Sequence, residues 1–283
     1  MRKIWTIARM TFRENVRKRI VLTALVLGLL FLAFFSIGFH LVYDSAINES
    51  ELPNEMVTRL VRAEASNALL QAGLYAVTFL SVAMGALLAA DTVSGEINSG
   101  TIQTIASKPV RRSDVILGKW LGFAILLGLY ALLMSGGTTL SVWLQSGYLP
   151  RNFLVGLSLI YLEALLIMTL ALFFSCFLPG LATGGVVFGL YGLAFIGGWV
   201  EQIGMAIENE TAVQVGIIIS LVIPSESLWR RAAFEMESAV ASMMGFSPFG
   251  ASSVPSPLMV WYAAAYLGII LLSAVSTFKH RDL

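Results

Sequence analysis

At 283 residues, with 57% hydrophobic side chains, 12% charged ones and a mean hydropathy of +0.82, the chain has the composition of a membrane protein rather than a soluble domain. A net charge of +1 gives nucleic-acid binding no electrostatic support, so no such partner is expected. The single cysteine, Cys176, excludes an internal disulfide, and the two remote histidines, His40 and His280, exclude an HExxH zinc site.

Residues 1–19 place Ile4, Ala8, Phe12 and Val16 at four-residue intervals beside Trp5, with Arg2, Arg9, Arg13 and Arg17 on another arc. This pattern predicts an amphipathic helix lying in the membrane interface, with a plain basic flank as the alternative. The apolar run 20–43 is the first span; it is too long for a signal peptide and lacks a small-residue cleavage site. The next segment, Asp44 to Asn67, carries Asp44, Glu49, Glu51, Glu55 and Glu64 against Arg59 and Arg62. The second span is 69–90.

A polar interruption, 91–119, then joins two uncharged runs. Within it Gly100 and Thr101 open a short helix-compatible segment that includes Ile102 and Ile105 and is stopped by Pro109, while Ser113 and Asp114 suggest the N-cap of the following helix. A short transverse helix held between two spans is the result. Spans three and four are 120–144 and 153–177, and the Leu178-Pro179-Gly180 turn leads into span five, 181–200. Gly185, Gly189, Ala194 and Gly198 recur there at close to helical spacing, which favours tight packing in the interior or at a subunit interface.

Residues 201–256 form the longest polar segment. Inside it Val213 to Ile223 is too short to span and runs directly into Pro224, which suits a re-entrant or interfacial helix. Met236, Met243 and Met244 lie here with Phe246 and Phe249; thioethers are soft ligands, but apolar gap-filling is the preferred reading, and no metal site is expected. The sixth span is 258–278. The fold class is therefore an all-α integral membrane protein with six transmembrane helices.

Basic residues set the orientation. They gather before span one (Arg2, Lys3, Arg9, Arg13, Arg17, Lys18, Arg19), around the 91–119 loop (Lys108, Arg111, Arg112, Lys119) and after span six (Lys279, Arg281), whereas the opposite side has Arg59, Arg62, Arg151, Arg230 and Arg231. Both termini are expected in the cytoplasm, in a cell (inner or plasma) membrane. No GxxxxGK[ST] loop is present, because Trp120 follows Gly118-Lys119 and Ser113 stands where the first glycine belongs. ATP binding by this chain is not expected.

Glu163 is the ionisable residue well inside a span, where an unpaired carboxylate costs about 2.5–3.5 kcal/mol. Two readings stand: a neutral carboxyl bonded to a neighbouring helix, or a group on a transport path.

The spacing Glu96, three residues, Gly100-Thr101, seven residues, Pro109, eight residues, Gly118-Lys119 resembles the signature of ABC-2-type transporter permeases, the family that includes the permease of the copper-processing system for nitrous oxide reductase. The resemblance implies that 1–19 is an elbow helix and that 91–119 carries a coupling helix, with Glu96, Gly100, Thr101, Ile102, Ile105, Pro109, Gly118 and Lys119 at the contact with an ATPase. It implies a separate P-loop ABC ATPase in two copies, which holds ATP and Mg, and a second permease copy, identical or paralogous. It also implies export, with spans one, two and five facing the dimer axis. The alternative from the residues is a secondary transporter or channel without an ATPase; no internal repeat or charged path supports it.

Overall fold

The computed structural model describes residues 2–48, 55–90, 92, 94–95, 111–238 and 253–280. Among the described residues there are nine helices and no strand: α1 (Arg2–Val16), α2 (Arg19–Asn48), α3 (Glu55–Ala90), α4 (Arg112–Ser146), α5 (Phe153–Ser175), α6 (Gly180–Ala206), α7 (Glu210–Val222), α8 (Ser225–Met236) and α9 (Pro257–His280). Six of them, α2 to α6 and α9, are long and apolar enough to cross a membrane. Helix is what hydrocarbon demands, since it satisfies every interior backbone N–H and C=O within the segment.

The helices run beyond the apolar stretches that announce them. α3 starts at Glu55, so its first three turns carry Glu55, Arg59, Arg62 and Glu64, and α6 continues past Val200 to Ala206. α4 begins at Arg112 after Arg111 as N-cap, which makes no side-chain cap bond; Ser113 and Asp114 lie in the first turn instead of capping it. Asp114 there still complements the positive end of the helix dipole. α4 ends at Gly147, whose φ of 70° puts the backbone in the left-handed region that glycine adopts without steric cost.

Three helices form the centre. α3 packs against α5 and α4, and in each of the three 61% of the most apolar stretch is buried, against 11%, 28% and 17% for α2, α6 and α9. Leu74 and Val77 from α3, Leu127 and Met134 from α4, and Ile160 and Ile167 from α5 share this core. Lipid is as apolar as leucine, so close backbone approach holds such helices together. At Gly85 of α3 an added Cβ would lie 3.1 Å from the Ala164 carbonyl oxygen of α5.

Around the centre, α1 crosses α4, α2 lies against α3 and α4, and α9 lies against α5 and α4. α6 and α7 form a tight hairpin. α7 and α8 meet at 104°, because Ile223 is extended and Pro224 cannot continue the helical hydrogen-bond ladder. α8 returns to pack on α5, and Gln71 Nε2 donates to the Ala233 carbonyl at 3.0 Å, tying α3 to it.

The α6–α7 hairpin depends on side-chain absence. A Cβ on Gly216 would sit 2.4 Å from the Glu201 Cβ and 2.8 Å from the Gly197 carbonyl oxygen, whereas one on Gly268 of α9 would meet nothing within 4 Å. Gly216→Leu is therefore expected to destabilise the detergent-solubilised protein by about 1–3 kcal/mol through overpacking. Gly268→Leu should be neutral or slightly stabilising. Thermal melts of the two variants beside the parent check this pair.

Candidate functional site

Two places concentrate polar chemistry that a membrane bundle would not carry without cause. The first is the end of the bundle where α1, the exit of α3 and the entry of α4 meet. Glu96, Gly100, Thr101, Ile102, Ile105 and Pro109 lie outside the described residues; Gly118 and Lys119 are inside α4.

Gly118 is filled by α1. Its added Cβ would lie 2.7 Å from Ile7 Cβ and 3.0 Å from the Ile4 carbonyl oxygen, and one turn on, that of Gly122 would lie 2.8 Å from the Ala8 carbonyl oxygen. α1 thus rests Ile4, Ile7, Ala8 and Thr11 directly on the α4 backbone, burying Ala8 and Thr11, whereas Trp5 and Val16 of the expected apolar arc are exposed. Lys119, beside Gly118, is 5% exposed. The neighbouring ends are tethered too. Arg112 Nη1 donates to the Lys279 carbonyl at 3.3 Å, joining α4 to the last turn of α9, and Trp120 Nε1 donates to Thr169 Oγ1 at 2.9 Å, joining α4 to α5. On the other side of the loop, the Ser94 amide donates to Ser175 Oγ at 3.4 Å, holding the exit of α3 to the end of α5.

The second place is a buried charge cluster between α5, α6, α7 and α8. Arg230, 1% exposed, grips Glu201, 4% exposed, with both guanidinium arms: Nη1 at 2.7 Å from Oε1 and Nη2 at 2.8 Å from Oε2. Nη2 also donates to Ser220 Oγ at 3.3 Å and Ser227 Oγ at 3.4 Å, and Ser253 Oγ donates to Glu201 Oε1 at 2.7 Å. A bidentate guanidinium–carboxylate pair with added hydroxyls is the arrangement that offsets the desolvation of both charges. It links α6, α7, α8 and the segment ahead of α9.

Glu163 and Glu226 lie nearby. Glu163 is wholly buried in α5, and among the described residues neither carboxyl oxygen has a hydrogen-bond partner; the same holds for Oε2 of Glu226. Glu226 acts electrostatically on Glu163, and both act on Tyr191. Close packing holds Glu226 in place, since an added Cβ on Gly198 would fall 2.3 Å from its Cγ.

The small residues of α6 therefore divide. Ala194 and Gly198 face inward, while Gly185 and Gly189 are exposed with nothing within 4 Å of an added Cβ. Met236 is buried, its sulfur against Gly156; Met243 and Met244 lie outside the described residues. Among the described residues no three His, Cys, Asp or Glu side chains stand close enough to hold a metal ion. The pairing of Glu201 with Arg230, 29 residues apart, has one sequence signal: a glutamate at the edge of an apolar run and an arginine shortly after a proline-broken one. That signal does not name the partner.

The family described as "ABC-2 family transporter protein" matches residues 5–283. The chain is also similar to the "Probable ABC transporter permease protein NosY" of Pseudomonas aeruginosa, at 30% identity over 139 residues, 49% of this chain and 45% of that protein. The protein of the same name from Stutzerimonas stutzeri is 28% identical over 142 residues, 50% of this chain and 46% of the relative. The chain thus aligns with a little under half the length of each.

Breaking the buried pair on one side leaves an uncompensated charge, whereas replacing both partners does not. Arg230→Met alone should cost about 3–5 kcal/mol of stability, and the double variant Glu201→Leu/Arg230→Met should recover most of that loss. Unfolding in detergent, followed for parent, single and double variants, gives the comparison; equal losses in both variants would contradict the pairing.

Proposed function

The chain belongs to the ABC-2 family of transporter proteins, and from that membership we propose that it is the permease subunit of an ATP-driven transporter, with ATP and Mg held by a separate P-loop ATPase. The observation that carries the coupling part is the tethering of both ends of the 91–119 segment. The exit of α3 is bonded to α5, and the entry of α4 is packed on α1 and bonded to α9 and α5. A push on a short helix in that segment is passed through α3 and α4 to three other helices, α1, α5 and α9. A loop joined loosely to its flanking helices would dissipate it.

On this reading α1 is the elbow helix, the α1 end is cytoplasmic, and α7–α8 is a re-entrant pair dipping from the opposite face. The clustering of lysine and arginine at the α1 end supports that orientation. Two permease copies and two ATPase copies make the transporter, which works as an exporter. The exposed apolar face of α6, with Gly185 and Gly189 open to close approach, supports a second copy there, beside α2 and α3.

Co-purification tests the assignment. A P-loop protein should accompany the chain in stoichiometric amount, and Ile105→Asp should leave membrane insertion intact while lowering ATP hydrolysis by the complex. A chain that transports without any ATPase is a secondary transporter or channel and removes the proposal.

Glu163 is enclosed on all sides, which supports a structural role over a place on the transport path, although the expected bond to a neighbouring helix is not made among the described residues. Glu163→Gln, which keeps the shape and cannot ionise, should then assemble and transport like the parent. Normal assembly with abolished transport assigns Glu163 to the path instead.

A further inference from the structure

α1 has three unlike faces. One rests on α4 through Ile4, Ile7, Ala8 and Thr11. Beside it lie Trp5, Phe12 and Val16, which fall one and two turns apart and so share a flank of the helix. Trp5 is 59% exposed and Val16 45%, with Phe12 half-buried between them, so this flank is apolar and faces outward. The third face carries Arg9 and Arg13, both exposed, on the side of the helix away from α4. Arg17 and Lys18 then join α1 to α2, and Arg19 opens α2; all three are exposed.

The cations here exceed the acids that could neutralise them. Glu14 is the acidic residue of α1, and Lys18 pairs with it at 3.2 Å. Arg9, Arg13, Arg17 and Arg19 make no ion pair and no side-chain hydrogen bond among the described residues. Four exposed guanidinium groups without carboxylates make this a positively charged surface. An acidic protein and an anionic membrane both carry the opposite charge, and the apolar flank decides between them. A helix that is apolar on one outward flank and cationic on the next lies along the edge of a bilayer, its apolar side chains among the acyl chains and its arginines reaching to the headgroups. An exposed tryptophan suits that level. The depth agrees, because α1 runs through Arg17 and Lys18 into α2, whose most apolar stretch is 11% buried and so open to lipid, with Ile20 and Leu22 exposed at its start.

We propose that the outward side of α1 is a docking surface for anionic phospholipids, with Arg9, Arg13, Arg17 and Arg19 binding headgroup phosphates and Trp5, Phe12 and Val16 seated among the acyl chains. The planar fork of arginine matches phosphate oxygens. An interfacial position by itself requires no particular headgroup. The uncompensated arginines add the preference, since a zwitterionic headgroup partly neutralises its own phosphate and an anionic one does not. Because Gly118 and Gly122 admit α1 to the α4 backbone, lipid held on the outward side of α1 bears on the entry of α4. The surface depends neither on the direction of transport nor on an ATPase.

Trp5 is the reporter for the test. The full chain and its Trp5→Phe variant are reconstituted in vesicles of equal parts phosphatidylcholine and phosphatidylglycerol, with bromine on the acyl chains of one lipid or of the other. The fluorescence lost in the parent but not in Trp5→Phe gives the quenching of Trp5. Brominated phosphatidylglycerol should quench Trp5 about twofold more than brominated phosphatidylcholine, as expected for local enrichment of the anionic lipid. In Arg9→Gln/Arg13→Gln/Arg17→Gln the two lipids should quench alike. In the parent the difference should shrink as salt is raised, because exposed charges are screened. The salt series uses no arginine variant and decides the matter if the triple variant reconstitutes poorly. Equal quenching by the two lipids in the parent overturns the proposal, and so does a Trp5 that neither lipid quenches, the result expected if a protein covers this face. A preference for phosphatidylglycerol that the triple variant or high salt leaves unchanged overturns it as well.

Discussion

The grip of Arg230 on Glu201 is the contact on which the irregular third of this bundle depends. Two charges 2% and 6% exposed at their side chains are tolerable inside a membrane protein only when each satisfies the other and hydroxyls take up the rest. Satisfying them fixes geometry. Glu201 must lie on the part of α6 that faces α8, Ser220 must bring α7 alongside, and Ser253 must approach from the segment before α9. The 104° bend at Pro224 is what allows α8 to turn back and present Arg230 to that carboxylate.

Elsewhere the bundle relies on glycine and alanine. Gly118 and Gly122 admit α1, Gly85 admits α5 to α3, and Gly197, Gly204 and Gly216 close the α6–α7 hairpin. In each case the contact is backbone or Cβ against backbone, which gains dispersion without needing water to be expelled. At the α1 end, α1, α4, α5 and α9 are joined at short range around the residues that bound the 91–119 segment. The opposite end has arginines, tyrosines and serines around a cavity in place of packed small residues.

Much of the outline was legible in the sequence. Six apolar runs became six helices of crossing length, residues 2–16 of the 1–19 segment formed a helix that lays Ile4, Ile7 and Ala8 on α4 while Trp5 and Val16 stay exposed, and Pro224 marked a sharp bend. Less was legible about particular residues. Gly118 reads as one position of a loop signature, but its contact is with Ile7 and Ile4, more than a hundred residues away in the chain. Arg230 reads as a charge in a polar segment, yet it is buried, and Glu201 lies just past where the fifth apolar run ends. The four small residues of α6 look equivalent along the helix, yet two face inward and two face out.

The sequence by itself determined the class of structure and the six runs long and apolar enough to cross a membrane, because the cost of placing a side chain in hydrocarbon is local and adds along the chain. Only the tertiary structure decided which buried carboxylate has a guanidinium partner, which has none, and which glycine receives a neighbouring backbone. Those outcomes depend on distances of a few ångströms between residues far apart in sequence. A guanidinium bonded to a carboxylate and the same guanidinium in water are written with the same letter.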